Sequence, residues 1–216
     1  SDVGPLITSN VLFGTQLLEA MALTGCKKMI NTGTSWQHYA TQDYRPVNLY
    51  AATKQAFEDI IDYYHLTQGL SCITLKLCDT YGPGDPRRKL VSVLMEAAYS
   101  REALEMSPGD QIIDISYIDD VVAAFAQAAK LLEGGCAPVL QDYFVSGERL
   151  SLRKLVDVVG QAMGREIDVR FGGRPYRERE IMHPVVAGER QLPGWSPRYR
   201  LSDGVRLLVR ASETDN

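Results

Sequence analysis

The chain has few cysteines, and none of them is spaced as a paired ligand or redox partner. Its 4 cysteines stand singly, without the C-x-x-C spacing of structural zinc sites. The same scatter disfavours a disulfide framework, so we expect reduced thiols that act mostly as small buried hydrophobic residues. We also expect no metal site. The cysteines are Cys26, Cys72, Cys78 and Cys136.

The sequence also lacks an excess of basic residues, long apolar runs and targeting segments. The 23 Lys and Arg residues against 27 Asp and Glu residues give a formal net charge of -4, which disfavours nucleic acid as a partner. No apolar run approaches the roughly 20 residues that a membrane helix needs, and residues 1–10 lack the regions of a signal peptide. We therefore expect a soluble, cytoplasmic protein without a membrane partner.

The order of predicted helices and strands indicates an α/β fold with a parallel sheet. Apolar spacing predicts helices over residues 10–24, ending at Gly25, and over residues 50–66. Apolar and β-branched runs predict strands over residues 27–32 and 71–77. The remaining predictions are a loop over residues 78–90, a helix over 90–100, a strand over 111–118, a helix from Asp119, a strand over 143–145, a helix capped by Ser151, a strand over 168–171 and a final short helix.

Two residues at the start of the second predicted helix suggest acid-base chemistry. The segment NLYAATKQ, residues 48–55, carries Tyr50 and Lys54 about one helical turn apart, so both lie on one face. A tyrosine with a pKa near ~10 is a poor base at neutral pH unless a nearby cation such as lysine lowers that pKa. Thr34, at a predicted strand end, is placed to hold a carbonyl oxygen. These residue types suit proton transfer to a carbonyl while a nicotinamide cofactor moves hydride.

Several segments, in order along the chain, resemble those of one enzyme family. They are NVLFGTQLLEA before the first strand, INTGTS at its end, LYAATK on the helix, LKLCDTYGPGDPR after the next strand, YIDDVV at a helix start and LPGWSP near the end. The set is similar to the extended short-chain dehydrogenase/reductases, also called the NAD-dependent epimerase/dehydratase family. The resemblance covers nearly the whole chain. It implies the C-terminal half of a Rossmann-like parallel sheet with a smaller α/β substrate-binding lobe.

The resemblance also implies which residues contact each reactant. It makes Thr34, Tyr50 and Lys54 the catalytic residues. The cofactor, NAD or NADP, is expected to contact Tyr50, Lys54, Leu77 and Thr80. A nucleotide-sugar substrate is expected to contact Ser35, Trp36, His38, Asp79, Arg87, Arg88, Lys89, Arg174 and Arg177.

One feature of the family is missing from these 216 residues. Members begin with a strand and a G-x-x-G-x-x-G turn, which cradles the dinucleotide pyrophosphate at a helix N-terminus. We therefore expect this chain to be a fragment that lacks on the order of a hundred residues of the doubly wound sheet. The Rossmann-like domain is expected over residues 1–80 and 111–147, and the substrate-binding lobe over residues 81–110 and 148–216.

Departures from the family pattern narrow the expected chemistry. Family dehydratases follow the active-site threonine with an acidic pair, whereas Ser35 and Trp36 follow Thr34 here, which disfavours dehydration. Ile113 and Asp79 stand where an arginine and an asparagine are expected to contact the nucleotide diphosphate. Basic residues elsewhere would have to replace those contacts, and the candidates are Arg87, Arg88, Lys89, Arg174 and Arg177.

The resemblance favours a nucleotide-sugar 4-keto-reductase that acts on a 4-keto-6-deoxy-hexose. The segments NTGTSWQHY and LKLCDTYGPGDPRRKL are most similar to bacterial reductases of the CDP-abequose or CDP-paratose type. A 4-epimerase with the same three catalytic residues is the alternative among enzymes. A catalytically silent fragment that binds a sugar nucleotide or a partner protein is the alternative of another class. We also expect a homodimer through the helices over residues 10–24 and 50–66, as is common in the family.

We predict that the 216-residue chain by itself neither binds NAD(P) measurably nor turns over, whereas the full-length protein does both. Contacts to the ribose and nicotinamide are a few hydrogen bonds of about 1 kcal/mol each, which is less than the free energy of the motion lost on binding. Calorimetric titration with NADH and NADPH measures the affinity. Tight binding of either cofactor by the chain alone would contradict the prediction.

Overall fold

The computed structural model describes residues 3–100, 102–135, 137–185 and 188–214, and Cys136 lies outside the described residues. Contacts between Cα atoms divide the chain into two compact units. The first comprises Ser1–Leu77, Val122–Val145 and Val185–Trp195, and the second comprises Cys78–Val121, Ser146–Pro184 and Ser196–Asn216. Which unit serves the cofactor and which the substrate stays a prediction.

Helices and strands alternate through much of the described chain, which confirms the predicted α/β class. The strands are β1 (Lys28–Thr34), β2 (Ser71–Leu77), β3 (Asp79–Tyr81), β4 (Leu104–Met106), β5 (Ile112–Tyr117), β6 (Leu140–Val145), β7 (Glu148–Ser151) and β8 (Val169–Phe171). The helices are α1 (Val3–Ile7), α2 (Phe13–Thr24), α3 (Leu49–Gln68), α4 (Leu90–Ser100), α5 (Ile118–Gly134), α6 (Leu152–Met163) and α7 (Leu201–Thr214). A π-helical turn (Thr8–Leu12) joins α1 to α2, and 3-10 turns occur at Ser35–Gln37 and Gly188–Arg190.

The first unit contains a parallel sheet in the strand order β1-β2-β6. Its register pairs Gly33 with Lys76 and Thr34 with Leu77, so the carboxyl ends of β1 and β2 lie side by side. In parallel α/β sheets this edge is where ligands bind. An apolar cluster formed by α2, α3 and the start of β2 fills one face of the unit: Leu18, Phe57, Ile61, Tyr64, Leu70 and Cys72.

The second unit contains a mixed sheet in the order β3-β5-β7 and a two-stranded sheet of β4 and β8. β3 runs parallel to β5, whereas β5 and β7 are antiparallel. Ser151 caps α6 as predicted, because its hydroxyl oxygen accepts a hydrogen bond from the Lys154 N–H at 3.2 Å. The core of this unit is built from Tyr81, Val91, Leu94, Ile115, Tyr117, Leu155, Val156, Val159, Leu201 and Val205.

Five segments differ from the sequence predictions, and two of them, the strands β4 (Leu104–Met106) and β7 (Glu148–Ser151), were not predicted. The loop over residues 78–90 is wrong in part, because its residues 79–81 form β3 and pair with β5. The first helix has already begun at Val3, and Pro5 is tolerated there because the first turn of a helix has no partners for its N–H groups. β6 begins at Leu140, earlier than the predicted residue 143, and its added residues include the polar Gln141 and the charged Asp142, which are not typical of a strand.

The helical run Val3–Thr24 corrects the expectation that no segment is apolar and long enough for a membrane span. It has 22 residues and a mean hydropathy of 1.3, which satisfies that criterion by length and composition, and 11% of the window is buried. Polar residues interrupt the run, so a search for continuous apolar residues misses it. One of them, Glu19, accepts a hydrogen bond from the Tyr64 hydroxyl at 2.8 Å. The core helices of soluble proteins and signal sequences satisfy the same criterion, so it does not by itself assign this helix to a membrane.

The three described cysteines are free thiols in different surroundings. Cys72 is buried, and this burial raises the pKa of its thiol to about 12. Cys78 is half-buried, and Cys26 is exposed. The expectation of buried thiols is therefore confirmed for Cys72 and wrong for Cys26.

Candidate active site

Thr34 ends β1 and caps the 3-10 turn that follows it. Its hydroxyl oxygen accepts a hydrogen bond from the Trp36 N–H at 3.3 Å, and its own N–H donates to Gln37 Oε1 at 2.9 Å. Together these bonds form a capping box that holds the buried Thr34 side chain in place. The Thr34 hydroxyl accepts in this arrangement, so its O–H can donate to a bound molecule.

Tyr50 and Lys54 lie on the first two turns of α3. Asn48 begins the helix by accepting a hydrogen bond from the Ala51 N–H at 3.0 Å. The Lys54 ammonium lies 5.8 Å from the centroid of the Tyr50 ring, so the two side chains lie together on one face. Burial lowers the pKa of Lys54, and the negative charge of Glu58 opposes this effect.

The Lys54 ammonium is half-buried, and no residue that the structure describes forms a hydrogen bond or an ion pair with it. Among residues 3–100, 102–135, 137–185 and 188–214, none accepts a hydrogen bond from its Nζ or forms an ion pair with it. A partly desolvated cation with three N–H donors requires acceptors. The position therefore suits a ligand that brings hydroxyl or carbonyl oxygens.

A second lysine of the first unit is fully paired. Lys76, on β2, is 4% exposed, and its ammonium lies 3.1 Å from Asp142 Oδ2 on β6. The same ammonium lies 3.4 Å from Glu58 Oε2 on α3 and 2.9 Å from His38 Nε2. At the surface side of this group, Arg190 Nη1 lies 3.3 Å from Asp142 Oδ2. Burying an ammonium requires this kind of complete surround.

His38 has both of its ring nitrogens occupied inside the first unit. Its Nδ1 lies 3.2 Å from the Asp43 carbonyl oxygen, so Nδ1 carries the proton and Nε2 accepts from Lys76. Burial, followed by the positive charge of Lys76, lowers the pKa of His38. The ring also packs against Phe144, with centroids 5.3 Å apart. A substrate contact for this buried histidine stays a prediction.

The other residues expected near β1 and β2 are spread over both units. Ser35 and Trp36 are half-buried in the 3-10 turn after Thr34. Leu77 ends β2 in the first unit. Thr80 lies on β3 in the second unit, where its hydroxyl donates to the Cys78 carbonyl oxygen at 3.3 Å.

The basic run that follows β3 is paired with protein groups of the second unit. Arg87 forms two bonds to the Asp85 carboxylate, at 2.8 and 2.9 Å. Arg88 Nη2 lies 2.6 Å from Glu96 Oε2, and Lys89 Nζ donates to a carbonyl oxygen of β3 at 3.0 Å. A diphosphate would have to compete with these partners.

Asp79, Lys89 and Arg177 interact electrostatically within the second unit. Although Asp79 is exposed by surface area, protein atoms around its carboxyl group raise its pKa, and Lys89 and then Asp114 are the next largest influences, in opposite directions. Arg177 is exposed and also acts to lower that pKa. Arg174 is exposed and is anchored through its backbone N–H. Within the described ranges, no group of three or more His, Cys, Asp or Glu side chains is arranged to hold a metal ion.

The sequence analysis missed four polar or charged residues that bond to the Thr34 backbone or to one another. They are Gln37, Glu58, Lys76 and Asp142. The sequence did contain one indication of them, because Lys76 is the one charged residue in the predicted strand SCITLKL. A buried lysine in a strand requires acidic partners, but its position alone does not indicate which they are.

Comparison with known proteins defines the family. The sequence matches the NAD-dependent epimerase/dehydratase family over residues 2–138, which is more than half of the chain. The chain belongs to this family. CDP-abequose synthase of Salmonella typhimurium is 25% identical over 209 residues, covering 94% of this chain and 68% of that protein. UDP-glucose 4-epimerase of Mycolicibacterium smegmatis is 27% identical over 218 residues, covering 94% of this chain and 67% of that protein.

Solved structures confirm the Rossmann-like fold of this epimerase/dehydratase family member. UDP-glucose 4-epimerase of Thermus thermophilus, in complex with NAD, has a TM-score of 0.76 and 26% identity, over 93% of this chain and 68% of that chain. UDP-glucuronic acid 4-epimerase of Bacillus cereus has a TM-score of 0.86 and 22% identity, over 100% of this chain and 71% of that chain. The family consists of extended short-chain dehydrogenase/reductase enzymes with NAD or NADP as cofactor.

We predict that Lys76→Met destabilises the protein by about 2–3 kcal/mol, because two carboxylates lose the cation that they share. The loss should be larger at pH 8 than at pH 5. Burial already raises the pKa of Glu58, and without Lys76 it rises further, so the folded state takes up protons as the pH falls and regains stability. Urea unfolding at both pH values measures this.

The matched control is Arg88→Met, which breaks the exposed pair of Arg88 with Glu96. Exposed pairs contribute less than about 1 kcal/mol, so we expect this substitution to cost little stability at either pH. A loss for Lys76→Met no larger than that of the control, or one that grows as the pH falls, would refute the structural role of Lys76.

Proposed function

We propose that the protein is an NAD(P)-dependent oxidoreductase that reduces the 4-keto group of a nucleoside-diphosphate-linked 4-keto-6-deoxy-hexose. The observation that carries this proposal is the half-buried Lys54 ammonium beside Tyr50, to which no described residue offers an acceptor. The ribose hydroxyls of a nicotinamide nucleotide are acceptors of the required kind. The cofactor therefore fits these residues by the chemistry of their donors.

Each of the three candidate residues has a distinct role in this proposal. Bound NAD(P)H supplies the hydride that reduces the keto carbon. The Tyr50 hydroxyl gives its proton to the keto oxygen, and the positive charge of Lys54 stabilises the tyrosinate that results. The Thr34 O–H donates a hydrogen bond to the same oxygen, since the Thr34 oxygen is already fixed by the Trp36 N–H.

The names of the relatives support a nucleotide sugar as substrate. CDP-abequose synthase and UDP-glucose 4-epimerase both act on sugars attached to a nucleoside diphosphate, as their names state. Dehydration is disfavoured here because Ser35 and Trp36 replace an acidic pair after Thr34. The proposed substrate contacts are Ser35, Trp36, His38, Asp79, Arg87, Arg88, Lys89, Arg174 and Arg177, and the basic members of this set are the candidates for the diphosphate.

A 4-epimerase is the second candidate function. The Mycolicibacterium smegmatis relative, a UDP-glucose 4-epimerase at 27% identity, favours it. The same three residues would serve, since epimerisation at a sugar carbon passes through a 4-keto form. The two functions differ in a measurable way, because a reductase consumes NAD(P)H with each turnover and an epimerase does not.

We predict that the full-length protein oxidises NADH or NADPH in step with reduction of a CDP- or dTDP-linked 4-keto-6-deoxy-hexose. Tyr50→Phe removes the proton donor and should lower kcat by at least about 100-fold. Lys54→Met should lower kcat by a similar factor. Absorbance of the reduced cofactor at each substrate concentration gives the rates.

Tyr63→Phe is the matched control, because Tyr63 lies on the same helix and is 59% exposed. It should retain the wild-type kcat. Interconversion of UDP-hexoses without cofactor consumption would instead identify an epimerase, and equal activity of Tyr50→Phe and Tyr63→Phe would remove Tyr50 from the mechanism.

We propose further that the protein is a cytoplasmic homodimer, since its proposed substrate is a water-soluble nucleotide. The supporting observation is a set of exposed apolar side chains on the helical run Val3–Thr24 and on α3. They are Val3, Ile7, Leu12, Phe13, Leu17, Leu23, Leu49, Tyr63 and Leu66. Pairing these helices between two copies would remove this surface from water.

We predict a dimer by light scattering of the full-length protein at micromolar concentration, and a shift towards monomer for Phe13→Glu. Phe13 is 62% exposed on the proposed interface, and burying a carboxylate there is unfavourable. Val122→Glu is the control, because Val122 is 59% exposed on α5, outside the proposed interface. A monomeric wild-type protein would contradict the proposal.

A further inference from the structure

Glu58 continues the face of α3 that carries the proposed catalytic pair. Tyr50, Lys54 and Glu58 follow one another at intervals of four residues, which is close to one helical turn. The proposed function assigns roles to Tyr50 and Lys54 but none to Glu58. The Glu58 side chain is only 14% exposed, and an ionised carboxylate is seldom buried without partners.

The Glu58 carboxylate is held from two sides. Its Oε1 accepts a hydrogen bond from Gln37 Nε2 at 3.0 Å, and its Oε2 lies 3.4 Å from Lys76 Nζ. Gly33 of β1 passes directly beside these groups. A Cβ atom at Gly33 would lie 2.9 Å from Glu58 Oε1 and 3.0 Å from both Gln37 Oε1 and Lys76 Cγ, so only glycine leaves room for this arrangement.

Gln37 connects the Glu58 carboxylate to the backbone of Thr34. Its Nε2 donates to Glu58 and also to Gln55 Oε1 at 2.8 Å, which fixes the orientation of the amide. Its Oε1 then accepts from the Thr34 N–H at 2.9 Å. Gln37 is 0% exposed, so no water competes for these bonds. The position of Thr34 at the end of β1 therefore depends on a side chain that Glu58 holds.

The charges around Glu58 leave part of its negative charge uncompensated. Lys76 lies closer to Asp142, at 3.1 Å, than to Glu58, at 3.4 Å, so one ammonium is shared between two carboxylates. His38 accepts a hydrogen bond from Lys76 as a neutral ring, and Arg190 pairs with Asp142. Lys54 lies one helical turn before Glu58 on α3, and the charge of Glu58 opposes the loss of the Lys54 proton.

We propose that Glu58 is a positioning residue for the reaction proposed above, and the inference rests on that function. Its carboxylate lies one helical turn after Lys54 on one side and, through Gln37, holds Thr34 on the other. One buried group thus acts on both the charge next to Tyr50 and the location of the hydroxyl that contacts the substrate oxygen. Burial raises the pKa of Glu58, and the positive charge of Lys76 opposes that rise.

The test is Glu58→Gln, which removes the charge and keeps the shape and an oxygen that can accept from Gln37. Asp62→Asn is the matched control, because it removes one charge from an exposed position of the same helix, one turn after Glu58. The titration of Lys54 is followed in the 216-residue chain by NMR of ¹³C-methylated lysines, with Lys54→Arg to assign its signal. Thermal unfolding verifies that each variant is folded.

For Glu58→Gln, the Lys54 midpoint should move to lower pH, further than in Asp62→Asn. In the full-length protein, the alkaline limb of the kcat profile should move in the same direction, and kcat at alkaline pH should fall roughly tenfold, which corresponds to one pKa unit. A merely structural role would lower kcat equally at every pH. An unchanged Lys54 midpoint in a folded Glu58→Gln variant would overturn the inference.

A second variant, Glu58→Asp, separates the two roles. It keeps the charge but draws the carboxylate away from Gln37, so the Lys54 midpoint should stay near that of the wild type. Hydrogen exchange of the Thr34 amide should become about fivefold faster, as for the loss of one hydrogen bond. Should Glu58→Gln not fold, this variant decides alone, and unchanged exchange at Thr34 would overturn the inference.

Failure of the proposed function gives a different result. If the wild-type full-length protein turns over none of the nucleotide sugars, the proposed reaction fails, while the Lys54 midpoint and the Thr34 exchange still report on Glu58. If the wild-type protein is active and neither of these readouts responds, the reaction stands and the role of Glu58 fails.

Discussion

The ammonium of Lys76 is buried within a parallel sheet, and its need for acceptors determines how four segments of the first unit meet. α3 and β6 each contribute a carboxylate, and the loop after β1 contributes a neutral imidazole. Removing one of these partners would leave a charge desolvated at a penalty of several kcal/mol. The candidate catalytic residues are attached to two of the same segments. Their geometry therefore follows from the burial of a charge that takes no part in the proposed chemistry.

The two lysines of the first unit show how surroundings separate structural from reactive side chains. Lys76 has carboxylate partners on α3 and β6 and an imidazole partner in the loop after β1, and these three occupy its N–H donors. Lys54 is half-buried near the ring of Tyr50, and no described residue accepts from it. The spacing from Tyr50 singles out Lys54 in the sequence, but no local pattern indicates which partners surround Lys76. The difference arises from which neighbours the fold supplies.

Local patterns in the sequence predict the strands and the helix that carry the candidate site. Residues 71–77 read as a strand because they are apolar and β-branched, and β2 has those bounds. The spacing of Tyr50 and Lys54 on a helix placed both on one face of α3. Thr34 was placed at a strand end, and it ends β1.

Features that depend on distant partners were not predictable in this way. Residues 79–81 form a strand only because β5 lies beside them, and their Gly- and Pro-rich surroundings indicate a loop. Asp142 belongs to β6 although aspartate is rare in strands, and its bond to Lys76 joins residues far apart in the chain. The carboxylates that surround Lys76 come from an α-helix and a strand, and no periodicity in the sequence connects them.

The close approach of β1 at Gly33 has a consequence for exchanging parts between members of the family. Gly33, Gln37, Glu58 and Lys76 occupy one contact region, and a side chain at the first would collide with the other three. A chimera that takes residues 28–37 from one relative and residues 49–77 from another combines two halves of this region that were never selected together. Libraries and chimeras made from this protein should therefore inherit residues 28–77 as a single block.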